Sequence, residues 1–279
     1  MRAAGSTTPS PHLWSPSPVW PEGRGIFLLR PLLTERRAAL RDALAALGET
    51  WIDDPANDDP RYARARVRAA GPGEMTRPEP LEAIDPIFAD DGLGGLIADR
   101  EALRAAPAAL ILKAAVCAGG GERLPRSGRA ERIADLISGT RAFTATLAGA
   151  RLIATATQVH VVREAGEAVR GGLAGITLAP GMETVWDGRF AITATRPLRV
   201  GPALGRLGSL PKAQRQALMA WPPSARAAAP VIVFEDGTRT CPILAGMPEV
   251  QAYGLAYQRL LAATGPICEE DRALDMATS

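Results

Sequence analysis

The sequence contains few cysteines and histidines, and this scarcity excludes most metal sites and disulfide frameworks. The three cysteines, Cys117, Cys241 and Cys268, are far apart and odd in number. Neither the paired spacing of a zinc site nor a set of disulfides fits them. The only histidines are His12 and His160. We therefore expect no metal site and a reducing compartment.

Long apolar runs are missing as well. The longest, residues 108–118, is interrupted by Lys113 and is too short to cross a bilayer. Residues 1–21 are rich in Ser and Pro and lack the apolar centre of a signal peptide, so we expect a flexible lead-in at residues 1–25. These features predict a soluble, cytoplasmic protein.

An excess of positive charge is also absent, because the formal net charge is only +2. Any surface that binds nucleic acid must therefore be local. Hydrophobic residues make up 47% of the chain, which predicts a folded protein rather than a disordered one. Only Lys113 and Lys212 are lysines. A GC-rich genome explains this preference for arginine better than a specific role in RNA binding does.

The periodicity of apolar residues predicts an α+β fold, in which helices precede a small, mostly antiparallel β-rich domain. The predicted helices are 34–47, 100–118 with a restart at Pro107, 127–138 with Ile133, Leu136 and Ile137 facing inward, and 212–219. The predicted strands are 143–147, 151–157, 159–163, 190–195 and 231–235. The predicted regions are the lead-in 1–25, the end of a catalytic domain at 26–70, a linker at 71–97, a helical substrate-binding region at 98–140, the β-rich domain at 141–265 and a tail at 266–279.

The segment from Trp51 to Arg68 separates its charges in an unusual way. Four acids fall within residues 53–59, and four arginines fall within residues 61–68. Carboxylates can orient an amine or a ribose, and arginines can bind phosphate through paired hydrogen bonds. Alternatively, the acids form a solvated turn that caps a helix, and the arginines balance them at the surface. The spacing does not fit a calcium-binding loop.

The same segment carries a family resemblance. The matching residues are Arg30 to Leu33, Arg37, Asp53, Asp54, Pro55, Ala56, Asn57, Asp59, Tyr62, Arg64, Val67 and Arg68. In this order and spacing they resemble the tRNA(Ile)-lysidine synthetases. Ala56 and Ala65 stand where that family usually has Ser and Asn.

The resemblance implies a ligase that uses ATP to activate C2 of the wobble cytidine of tRNA(Ile). The ε-amine of lysine then attacks, and AMP leaves. The family's ATP-binding loop, Ser-Gly-Gly-x-Asp-Ser, does not occur in the sequence. We therefore expect a chain that lacks the ATP-binding half, is inactive alone and relies on a separately encoded N-terminal half. The alternative is a non-catalytic RNA-binding remnant or pseudoenzyme.

Shorter motifs that follow the family's order occur downstream, at residues 119–126, 146–152, 162–164 and 186–190. The predicted residues for binding substrate or tRNA are Arg30, Arg37, Asp54, Asn57, Asp59, Arg64, Arg68, Arg123, Arg126 and Arg189, with Arg151 as a further candidate. We assign no catalytic residue. The run Gly119–Gly121 also fits a helix C-cap, Trp186 and Phe190 fit a hairpin packed in the core, and Cys117 fits a buried structural thiol.

Overall fold

The computed structural model describes residues 14–16, 27–29, 35–53, 59–61, 66, 87–121 and 128–264. The chain divides into two compact units. Unit 1 comprises residues 1–15 and 27–82, and unit 2 comprises residues 16–26 and 83–279.

The described helices are α1 (Arg37–Ala46), α2 (Arg100–Leu103), α3 (Ala108–Ala118), α4 (Arg129–Ser138), α5 (Lys212–Leu218), α6 (Pro223–Ala227) and α7 (Ala256–Thr264). The described strands are β1 (Trp14–Pro16), β2 (Phe27–Leu29), β3 (Phe88–Asp90), β4 (Leu96–Asp99), β5 (Phe143–Leu147), β6 (Ala150–Ala154), β7 (Gln158–Arg163), β8 (Ile176–Leu178), β9 (Thr184–Trp186), β10 (Phe190–Ala194), β11 (Leu198–Pro202), β12 (Pro230–Val233), β13 (Arg239–Thr240) and β14 (Val250–Gly254). None of these helices is long and apolar enough to cross a bilayer.

Helix α1 is the main described element of unit 1. It begins after Arg36, whose backbone is extended, and ends just before Gly48, whose φ is +73°. Glycine adopts this left-handed conformation without steric strain, so it ends the helix. The predicted helix at residues 34–47 is therefore confirmed, with a later start.

Unit 2 contains a five-stranded antiparallel sheet in the order β3-β4-β7-β6-β5. One hydrophobic cluster joins this sheet to α3, α4 and α7, and it includes Leu96, Ile111, Ile133, Leu152 and Leu260. Strand residues that alternate with these, such as Ile153 and Val162, contribute to a second cluster, which also holds Leu218 and Val231. Both faces of the sheet are therefore covered. The first cluster contains residues from both sides of the predicted boundary at residue 140.

Two further antiparallel sheets complete unit 2, in the orders β13-β12-β11-β8 and β14-β10-β9. Both supply buried residues to one core, with Val200 and Ile232 from the first sheet and Phe190 and Ile192 from the second. The two sheets therefore pack face to face. This arrangement confirms the predicted α+β class and the mostly antiparallel C-terminal region.

Two local predictions need correction. Strand β3 and the start of β4 lie within the predicted linker, because Phe88 and Leu96 enter the first cluster although the turn between the two strands is rich in Asp and Gly. The predicted restart of the helix at Pro107 is confirmed, because the backbone is extended there and separates α2 from α3. Leu136 was predicted to face inward but is 49% exposed, because it lies off the buried stripe of α4.

Candidate nucleic-acid interface

Arg37 lies in the first turn of α1, where its side chain is exposed. Its Nη2 donates to Asp53 Oδ1 at 2.8 Å, and Arg41 contacts the same carboxylate. The Arg41 guanidinium also stacks over Trp51, 5.3 Å from the ring centre. Such exposed ion pairs contribute little stability. Each guanidinium has five N–H donors, so both arginines keep donors for an anionic ligand.

Asp59 is engaged by its own neighbour. Its Oδ1 accepts from the Arg61 backbone N–H at 2.9 Å, and its Oδ2 accepts from Arg61 Nε at 2.8 Å. The Arg61 side-chain bonds and then the backbone bond hold the pKa of Asp59 below its usual value. This geometry fits the alternative of a turn-forming acid. The other predicted residues of the first motif lie outside the described residues, namely Arg30, Asp54, Asn57, Arg64 and Arg68.

The downstream motifs meet at one place in unit 2, where three turns pack backbone against backbone. A Cβ added to Gly119 would lie 2.2 Å from the Ala148 carbonyl oxygen, and one added to Gly120 would lie 2.0 Å from the Asp187 carbonyl oxygen. Gly120 also has a φ of +67°. Only glycine permits this approach. The C-cap interpretation of the glycine run is confirmed, since Gly119 caps α3. Arg123 and Arg126, which follow this run, lie outside the described residues.

A buried ionic network crosses the same junction. Asp187 accepts from Arg163 Nε at 3.0 Å and Nη2 at 2.8 Å, and from Arg189 Nε at 2.7 Å. The side chains of Arg163, Asp187 and Arg189 are 8%, 4% and 1% exposed. The other guanidinium donors reach backbone oxygens, with Arg163 bound to Gly149 and Arg189 bound to Ala228. The network therefore stabilises the packing of the turns at this junction.

The prediction that Arg189 contacts tRNA is wrong for this reason. Its guanidinium is fully buried, and its donors bind a carboxylate and backbone carbonyl groups. Burial lowers the pKa of Arg189, and Asp187 opposes that shift. The group stays charged because arginine does not lose its proton in proteins. Phosphate has no access to it.

Near the junction, the structure confirms the predicted hairpin of Trp186 and Phe190 and the predicted buried thiol of Cys117. Trp186 and Phe190 pair across a hairpin and stack with ring centres 5.9 Å apart in the core. Cys117 is buried, and burial raises the pKa of its thiol to about 11, so it is a structural thiol rather than a nucleophile.

Arg151 lies at the rim of the junction and binds Glu164 with two hydrogen bonds, at 2.6 and 3.1 Å. Burial alone would raise the pKa of Glu164, but the bonds from Arg151 and from the Gly166 N–H outweigh it and lower the pKa. Arg151 is therefore already neutralised in this structure.

A basic surface that the sequence motifs did not reveal lies beyond the junction. Residues 188–234 contain seven arginines or lysines and no Asp or Glu. Apart from the buried Arg189, these cations are at least partly exposed, and Arg199, Lys212 and Arg215 are the most exposed of them. A run of cations without acids predicts a basic surface from the sequence alone. The short family motifs do not include this run.

The sheet β13-β12-β11-β8 arranges part of this surface. Arg199 of β11 and Arg239 of β13 both pair with Val233 of β12, so they project from the same face. The Arg206 guanidinium lies against Gly201 on this face and donates to Pro202 O at 2.7 Å. Helix α5 packs on the same side, because Leu218 shares a cluster with Val231, which pairs with Gly201. We call Arg199, Arg206, Lys212, Arg215 and Arg239 the basic face.

Comparisons with known proteins place both units in context. The PP-loop domain family matches residues 20–71. A tRNA(Ile)-lysidine synthase of Caulobacter vibrioides is 47% identical over 264 residues, which is 94% of this chain and 63% of that protein. A tRNA(Ile)-lysidine synthase of Brucella ovis is 33% identical over 59% of this chain and 42% of its own length. A tRNA(Ile)-lysidine synthase of Hyphomonas neptunium is 50% identical over 24% of this chain and 18% of its own length.

The chain thus spans less than two thirds of each of these relatives. No solved structure matches it. The match at residues 20–71 leaves two predictions unsupported, namely that the chain lacks the ATP-binding half and that it is inactive alone. A separately encoded N-terminal half stays a prediction.

Proposed function

Because this chain belongs to the tRNA(Ile)-lysidine synthase family, we propose that it joins lysine to the wobble cytidine of tRNA(Ile) in a reaction that consumes ATP. The observation that carries this proposal is the 47% identity over 94% of the chain to the Caulobacter vibrioides enzyme. We place the reaction in the cytoplasm, since the buried thiols Cys117 and Cys241 are free.

We assign the basic face to the tRNA backbone. Arginine and lysine contacts with phosphate position a nucleic acid and make its affinity depend on salt. Four of its five cations, Arg199, Lys212, Arg215 and Arg239, lie on strands or a helix, so rigid elements hold them. A local surface of this kind is also compatible with a formal net charge of only +2.

We assign a smaller role to Arg37 and Arg41 in the PP-loop match. Both guanidiniums are already on Asp53, and Trp51 supports Arg41. Arg37, Arg41 and Asp53 together carry a net charge of +1, so they can bind an anion only as one cluster. In the proposed reaction the C2 oxygen of the cytidine is adenylated by ATP and pyrophosphate leaves. The lysine ε-amine then attacks C2 and AMP leaves. We assign no residue of this chain to a step of the reaction.

The proposal is tested by depleting this gene product in the organism that encodes it. The wobble nucleoside of tRNA(Ile) is then identified by mass spectrometry. We expect lysidine to be replaced by unmodified cytidine, and expression of the chain to restore it. Unchanged lysidine after complete depletion would contradict the proposal, and continued tRNA binding by the purified chain would then favour a non-catalytic RNA-binding protein.

A rescue variant separates the role of the basic face from the identity of the enzyme. We expect a chain with Arg199→Glu, Lys212→Glu and Arg215→Glu to restore less lysidine than the native chain at equal abundance. A matched control reverses Arg104, Arg132 and Arg170, which are exposed residues of unit 2 outside the basic face. Equal rescue by both variants would remove the basic face from the proposal.

A further inference from the structure

We propose that a cavity beside the basic face binds one unpaired guanine base of an RNA. This inference rests on the proposed function, because it deepens the proposed binding of tRNA. The cavity has a volume of about 420 Å³ and is lined by Arg196, Phe234, Glu235, Asp236 and Thr238. Small-ligand sites typically measure about 300–1,000 Å³.

The wall of the cavity is a stacked pair of planar groups. The Arg196 guanidinium lies over the Phe234 ring, 5.2 Å from its centre, and its Nη2 binds Glu249 Oε2 at 3.3 Å. Arg196 Nε is buried and has no hydrogen-bond partner among the described residues. Unstacked RNA bases commonly stack on arginine planes and aromatic rings. The outer face of this pair provides such a platform.

The rim of the cavity accepts hydrogen bonds. Asp236 Oδ1 accepts from the Thr238 N–H at 2.9 Å, and the carboxylates of Asp236 and Glu235 are exposed. The backbone bond from Thr238 lowers the pKa of Asp236, so this group is ionised at neutral pH. Two carboxylates repel phosphate and attract N–H donors. Guanine has adjacent N1–H and N2–H donors on one edge, whereas adenine has only the N6 amine there and uracil has one N–H between two oxygens.

The position of the cavity supports a nucleotide rather than a free base. Arg196 comes just before β11, and Phe234 to Thr238 form the turn between β12 and β13. Arg199 and Arg239 lie at this same end of the sheet, on strands β11 and β13. Phosphates can therefore contact cations while one base enters the cavity. Backbone contacts of this kind position an RNA, and base contacts select its sequence.

The test titrates the full 279-residue chain with guanosine, adenosine, cytidine and uridine 5′-monophosphates and follows ligand-observed NMR. We expect guanosine monophosphate to bind at least about fivefold more tightly than the other three. The double variant Glu235→Gln and Asp236→Asn should lose about tenfold in that affinity, the loss typical of one base contact. The Asn side chain keeps an oxygen for the Thr238 N–H, so the turn is retained.

A matched control changes two exposed acids of α4, Glu131→Gln and Asp135→Asn, and should bind guanosine monophosphate as the native chain does. Arg196→Gln serves as a second cavity variant, and melting temperatures establish that each variant is folded. Equal affinity for the four nucleotides, or native affinity in both cavity variants, overturns the inference. If tRNA still binds to the native chain in that case, the proposed function survives. If tRNA does not bind, the proposed function fails as well.

Discussion

The buried network of Arg163, Asp187 and Arg189 allows the sharpest prediction of stability. Asp187→Asn removes the one carboxylate that receives three N–H donors from these two arginines, at 3.0, 2.8 and 2.7 Å. Asp187 has a φ of +51°, and asparagine tolerates this conformation as well as aspartate does. The substitution therefore changes the charge without adding backbone strain.

The expected loss is large because two guanidiniums would stay buried without their counter-charge. Removing one partner of a buried ion pair typically costs about 3–5 kcal/mol. In a domain of this size, each kcal/mol lowers the melting temperature by about 2–4 °C, which gives a fall of about 6–20 °C. Urea unfolding followed by circular dichroism measures the free energy directly.

The control for this prediction is Glu167→Gln, which removes the exposed ion pair between Glu167 and Arg170. Exposed pairs contribute at most about 1 kcal/mol, so this variant should remain close to the native protein. If Asp187→Asn unfolded at the same urea concentration as the control, the network would not hold the turns together, and our account of the junction would be wrong.

Three further predictions follow from single contacts. Gly120→Ala should prevent stable folding, since its Cβ would lie 2.0 Å from the Asp187 carbonyl oxygen. The control Gly171→Ala has a φ of +88° but no atom within 4 Å of its Cβ, so its free energy of unfolding, measured in urea, should fall by only about 1–2 kcal/mol. Arg100→Met should destabilise unit 2 by at least about 3 kcal/mol in the same assay, because the buried Arg100 guanidinium donates to four backbone carbonyls. Burial raises the pKa of Asp91, whose Oδ2 has no partner among the described residues, so the native protein gains stability as the pH falls through that raised pKa towards 3.8. Any advantage of Asp91→Asn in unfolding free energy at pH 7 should therefore shrink by pH 4, and an advantage independent of pH would contradict this.

Much of the fold could be predicted from local patterns. Strands β5, β7 and β10 and helices α1, α4 and α5 carry their own periodicity or capping signals, and each lies within a few residues of its predicted position. Strand β3 could not be recognised, because three residues are too few for an alternating pattern. Its place depends on pairing with β4, which lies between β3 and β7 in the sheet.

The candidate site was harder to predict because burial decides what an arginine does. Arg189 and Arg199 are ten residues apart in the same acid-free run, yet Arg189 is 1% exposed and Arg199 is exposed to solvent. The hairpin at Asp187 turns Arg189 inward, whereas the register of β11 turns Arg199 outward. The acid-free run contains both residues, and only the fold shows that Arg199 is exposed and Arg189 is buried.

The most direct test of the central claim is the affinity of the chain for tRNA(Ile) as a function of salt. We predict that reversing Arg199, Lys212 and Arg215 to Glu weakens binding at least about tenfold. It should also reduce the slope of log affinity against log salt by about three, since each lost phosphate contact removes about one unit. Native affinity and an unchanged salt slope in this variant would show that the basic face does not bind tRNA.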